Sequence, residues 1–154
     1  MCSSDLAYLS DLTPVRIRFL DDLIKLSLGG RGVKEGLGQS EYGIAVIETD
    51  GSISKNDTLK SSFSGADKFL ESWSVQKNSL KSIFDSTEFE EYHSLQKPTS
   101  DECQSCPQLG ICGGGMPLHR WKDNCGFDNP SVYCRDQKFV IGKIAQKLAG
   151  EGVM

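Results

Sequence analysis

Apolar positions recur at helical steps near the start of the chain, where Val15, Phe19, Leu23 and Leu26 follow one another at intervals of four, four and three. Thr13-Pro14 supplies a cap and a first-turn proline, so a helix is predicted from about Asp11, and Gly29-Gly30 stops it. The stretch from Gly29 to Gly43 holds six glycines among scattered charges and reads as a mobile connection between two units. After it, the β-branched run from Ile44, a tight Asp50-Gly51 turn and a second run from Ser52 predict a β-hairpin. Helical spacing returns over Gly65 to Trp73 and over Asn78 to His93. Leu80, Phe84 and Phe89 are placed there as core contacts, with Glu88, Glu90 and Glu91 on a solvated face. A last helix is expected from about Asn129-Pro130 to Gly150, on Val140, Ile141, Ile144, Ala145 and Leu148, which puts Cys134 in its first turns.

The order of these elements, a hairpin among helices with no βαβ alternation, predicts a small α+β fold. A length of 154 residues is one domain's worth of chain. With 17 basic against 21 acidic residues the chain lacks the cationic excess that neutralises phosphates, so nucleic acid is not an expected partner. No apolar run approaches the roughly 20 residues a bilayer span needs, so no membrane is expected either.

Cysteine changes the picture. Five of the six fall between Cys103 and Cys134, and the sequence opens with neither a charged leader nor an apolar export segment. A reducing cytoplasm is therefore expected, where clustered thiols serve metal or redox chemistry. Met1 to Leu6 match nothing that follows and read as a non-native scar, which sets Cys2 aside.

Cys103 and Cys106 form a CxxC pair, Cys112 follows, and Cys134 opens the closing helix. Two residues between thiolates let one turn aim both sulfurs at one centre, and Pro107 fixes the turn after the pair. Four thiolates suit a tetrahedral zinc or an iron–sulfur cluster, and spacing alone does not choose. Three features favour the cluster: the bare backbone of Gly113-Gly114-Gly115 beside Cys112, the turn at Pro107, and the positive end of a helix dipole at Cys134. His119 reads as a donor beyond the ligands or as a packed residue, and Arg120 as a neutraliser of cluster charge, a holder of a substrate carboxylate or one half of an ion pair. Cys125 is the spare thiol.

The segment Cys103 to Gly115, with His119-Arg120 and Gly126 to Cys134, resembles the SPASM region at the C-terminus of radical S-adenosylmethionine (SAM) enzymes, most closely the peptide maturases that form cyclophanes. The run Glu48 to Ile53, with Asp57 to Lys60, is similar to the stretch ahead of the cysteines in those enzymes. The resemblance implies that residues 7–43 are the end of a radical SAM barrel and a linker, and residues 44–154 an auxiliary-cluster domain. Full SPASM regions hold two auxiliary clusters. Here Met116 stands where a further thiol is expected and no cysteine occurs between Ala7 and Glu102, so one 4Fe-4S cluster on Cys103, Cys106, Cys112 and Cys134 is implied, with Gly113, Gly114, His119 and Arg120 around it. The CxxxCxxC loop that cleaves SAM is absent, so SAM and its own cluster would belong to a preceding part. No catalytic residue is assigned, and the chain is not expected to start the radical reaction. A precursor peptide is the implied substrate, with a redox partner beside it. A zinc-binding interaction module with four cysteine ligands and a stand-alone iron–sulfur electron carrier are the rival readings.

Overall fold

The computed structural model describes residue 8 and residues 11–13, 15–39 and 43–150. The scar at Met1 to Leu6, with Cys2, and the first-turn role of Pro14 lie outside them.

The helix expected from about Asp11, α1 (Arg18–Ser27), begins later than the periodicity predicts. Ile17 before it is extended and Val15 is exposed, because β-branched residues favour extended backbone and neither has a core to enter. The inner face of α1 is Leu23, fully buried, flanked by Phe19 and Leu26. The helix ends as expected: the Gly29 and Gly30 amides bond back to the Leu26 and Lys25 carbonyls, the Schellman pattern.

The glycine-rich stretch is a packed strap where a mobile connection was expected. Buried Asp22 accepts the amides of Val33 and Lys34 at 3.0 and 2.8 Å, Leu37 enters the core, and the Gly38 amide donates to the Ile111 carbonyl. The Glu35 carboxylate accepts from Asn56 Nδ2 at 3.1 Å and so ties the strap to the hairpin unit.

The hairpin forms where predicted. β1 (Val46–Ile47) and β2 (Ile53–Ser54) pair antiparallel with Ile47 opposite Ile53. Glu48 donates to Ser52 and its carbonyl accepts from Gly51, whose φ of +83° closes a three-residue loop.

The segment Gly65 to Trp73 is not a helix. Its carbonyls serve β2 instead, Asp67 accepting from the Lys55 amide and Trp73 from the Ile53 amide, so the chain wraps the hairpin. The predicted helix from Asn78 to His93 is two, α2 (Leu80–Phe84) and α3 (Thr87–Ser94). Ser79 and Ser86 each cap one of them by accepting an amide three residues on. Leu80 and Phe84 are 46% and 43% exposed, and Ile83 takes the core position instead. Glu88 departs from its expected solvated face: it accepts the Leu70 and Glu71 amides and pairs with Lys55 at 3.8 Å. Glu90 and Glu91 are exposed.

Two one-turn helices, α4 (Asp101–Gln104) and α5 (Leu109–Cys112), lead to a 3-10 turn at Pro117–Arg120 and then to α6 (Cys134–Gly150). Ile53, Leu59, Phe69, Ile83, Phe89 and Tyr92 build one core around the hairpin. Leu23, Leu37, Ile141, Ile144 and Leu148 build a second between α1 and α6. Leu23→Ala is expected to lower stability by about 3 kcal/mol through a cavity in this second core. Val15→Ala, at an exposed site, should leave the urea midpoint where it was.

Candidate metal centre

Short local bonds place the four thiols. The Cys103 amide donates to the Ser100 carbonyl at 2.9 Å, the Cys106 amide to the Cys103 carbonyl at 3.1 Å, and the Cys112 amide to the Gln108 carbonyl at 2.8 Å. Successive turns thus fold the segment onto itself, and Cys134 arrives as the first residue of the 17-residue α6. Cys103 is buried, and Cys106, Cys112 and Cys134 are half-buried.

Cys112 and Cys134 feel the other thiols electrostatically. Burial pushes the Cys112 thiol up, and negative charge on Cys134, Cys103 and Cys106 pushes it further, while an N–H bond from Gly114 works the other way. Cys134 is raised by burial and by Glu102, Cys103 and Cys106, against Lys138. Lys138 is itself raised by Cys134 first and then Cys106, and lies 3.6 Å from Glu102. Cys125 is exposed on a separate turn bridged between Lys122 and Gly126. Among the described residues, no three Cys, His, Asp or Glu side chains converge closely enough to close on a single metal ion.

Arg120 is 1% exposed. Its guanidinium donates to the carbonyls of Leu95 and, at 3.3 Å, Lys97, while its buried Nε has no partner. Burial works against its charge, and the group that favours the charge is Cys103. Among the described residues no carboxylate pairs with it. A buried cation with an unused donor, its charge favoured by Cys103, fits an anionic thiolate-held group, and so does the Gly114 N–H bond to the Cys112 sulfur.

Gly113 and Gly114 have a packing role as well. Both have positive φ, and a Cβ at Gly113 would meet the Gly38 backbone, one at Gly114 the Pro98 ring at 2.5 Å. The cysteine loop is thereby seated on the strap. Gly113→Ala should cost more than about 2 kcal/mol, left-handed strain and overpacking together. Gly65→Ala, also at positive φ but facing open space, should cost about 1 kcal/mol, and urea denaturation of the two variants checks the difference.

His119 lies on the wall of a cavity of about 260 Å³, edge-on to Tyr133 at 4.9 Å; burial and Lys34 push its pKa down. Two residues escaped the sequence reading. Gln137 is buried with Oε1 3.1 Å from Cys112 Sγ, and Lys138 flanks Cys134. They follow Cys134 by three and four positions on a predicted helix, the spacing that shares a face, and that was the available signal.

No protein-family model matches the chain, and no curated protein does. Solved structures do. Native anSMEcpe with bound AdoMet and Cp18Cys peptide aligns at a TM-score of 0.71 and 22% identity, over 95% of this chain and 38% of that one. Native anSMEcpe with bound AdoMet aligns at 0.66 and 22%, over 92% and 36%, and the form with bound AdoMet and Kp18Cys peptide at 0.66 and 22%, over 93% and 37%. The chain shares their fold and spans little more than a third of their length.

Proposed function

We propose that Cys103, Cys106, Cys112 and Cys134 hold one 4Fe-4S cluster, and that the chain is the auxiliary-cluster part of a radical SAM enzyme of the SPASM type. That enzyme would modify a ribosomally made precursor peptide in the cytoplasm, with this part supporting electron relay and substrate positioning. The observation that carries the reading is Arg120, a buried cation that meets no carboxylate among the described residues and whose favouring charge is a cysteine sulfur. The placing of Cys134 at the positive end of α6 supports it further.

When bound, a cluster held by four protein thiolates supplies one-electron transfer. The chain's own residues do the rest. Arg120 and Lys138 offset negative charge on two sides, and the Gly114 amide bonds the Cys112 sulfur. Cys103 is itself buried from water. SAM binding and radical generation lie in this reading with a preceding barrel, in keeping with AdoMet and peptides bound to the fold neighbours. Among the described residues no helix is long and apolar enough to cross a membrane.

Anaerobic loading of the 154-residue chain with ferrous iron and sulfide tests the site. Iron and acid-labile sulfide in equal amounts, with broad visible charge-transfer absorption, are expected. Zinc at about one per chain without that absorption would replace the cluster by a zinc-binding module on the same four cysteines. The coding sequence upstream tests the parentage: a CxxxCxxC loop there supports a radical SAM barrel, and an unrelated domain rejects it.

A further inference from the structure

Gln137 stands one turn into α6 from Cys134, and its side chain lies between Cys112 and the cavity walled by Phe19, Leu37, Met116, His119 and Tyr133. The residue is 9% exposed, and its Oε1 accepts from the Cys112 thiol at 3.1 Å. A sulfur that ligates metal is a thiolate with no proton to give. The same geometry would then set two acceptors against each other. A half-turn of the terminal amide exchanges Oε1 for Nε2 at the same place, and Nε2 carries two N–H donors.

We propose that Gln137 donates an Nε2–H hydrogen bond to the Cys112 thiolate of the assembled centre and raises its reduction potential. With the Gly114 amide, two N–H groups then converge on one ligand sulfur. Such bonds draw negative charge off the sulfur, which favours the more negative, reduced state, and hydrogen bonds to sulfur are among the determinants of cluster potential. Gln137 is thus a positioning and tuning residue. The inference rests on the cluster reading above.

The test uses the full chain loaded anaerobically with ferrous iron and sulfide. Gln137→Met keeps the length and removes the donor; brought to the wild-type iron content with excess ferrous iron and sulfide, it is expected to titrate at a lower midpoint potential. Gln137→Glu sets an acceptor beside the thiolate and should titrate lower still. In wild-type protein carrying ¹⁵N in its glutamine side chains, pulsed EPR of the reduced cluster should show a coupled nitrogen that is missing from the Met variant. If that variant does not fold or load, Gln137→Glu, which also lacks the side-chain nitrogen, supplies the comparison spectrum. A loaded Gln137→Met at the wild-type potential, or no nitrogen coupling in wild type, overturns the inference and leaves the cluster reading in place. A wild-type chain that takes up no iron and sulfide overturns both.

Discussion

Alanine in place of Cys103, Cys106, Cys112 or Cys134 is expected to reduce iron and sulfide loading more than about 100-fold, while Cys125→Ala loads like wild type. The threshold follows from removing a donor outright, since losing an outer partner of a ligand already costs about 10 to 100-fold. The four positions differ in what else they do. Cys103 is buried, and Cys112 packs against the second core, so their loss opens space as well. Cys106 and Cys134 are half-buried and offer the cleaner variants. Serine at Cys106 or Cys134 keeps the shape and should fail to load with the empty protein's urea midpoint nearly unchanged. Iron and sulfide at the wild-type level in either variant would remove that residue from the ligand set. Cys125 lies exposed on the turn between Lys122 and Gly126, and its removal should alter neither loading nor absorption.

Where the sequence could be read, the interactions are local. Asp50-Gly51 makes its turn through bonds between Glu48, Gly51 and Ser52, and the apolar stripe of α6 and the close of α1 lie within a few residues of the groups that determine them. Where the reading failed, distant partners decide. Ala66, Phe69 and Trp73 carry a helical period and all reach or flank the first core, yet the carbonyls of Asp67 and Trp73 are claimed by the amides of Lys55 and Ile53 at the hairpin. Glu88 looks like part of an acidic face until the Leu70 and Glu71 amides arrive beside it. The glycines between Gly29 and Gly43 suggested looseness, but a Cβ at Gly38 would meet the Leu26 side chain on α1, and the Gly38 backbone in turn leaves no room for a side chain at Gly113 on another loop. The same holds within the site. The spacing of Cys103, Cys106 and Cys112 was visible along the chain, whereas the burial of Arg120 beside Cys103 and the reach of Gln137 to Cys112 exist only after folding.

Arg120→Met is the sharper probe of the centre, because its effect should depend on whether the site is filled. In the empty protein the guanidinium is a buried cation that burial disfavours, held by the carbonyls of Leu95 and Lys97. Methionine forfeits those bonds, about 1.5 to 3 kcal/mol for a charged donor, and recovers a desolvation cost of comparable size. The empty variant should therefore unfold at nearly the wild-type urea concentration. In the loaded protein the cation faces an anionic centre through Cys103. Removing it leaves that negative charge uncompensated in a buried place, which costs about 3 to 5 kcal/mol. The stabilisation gained on loading should shrink by that amount, and the midpoint potential should fall because the reduced form carries more negative charge. Arg120→Lys keeps the charge and should restore most of the potential, though its single ammonium cannot span two carbonyls and the sulfur together. Equal destabilisation of the empty and loaded proteins by Arg120→Met would instead make Arg120 a strap between Leu95, Lys97 and the 3-10 turn, and would remove the observation on which the cluster reading chiefly rests.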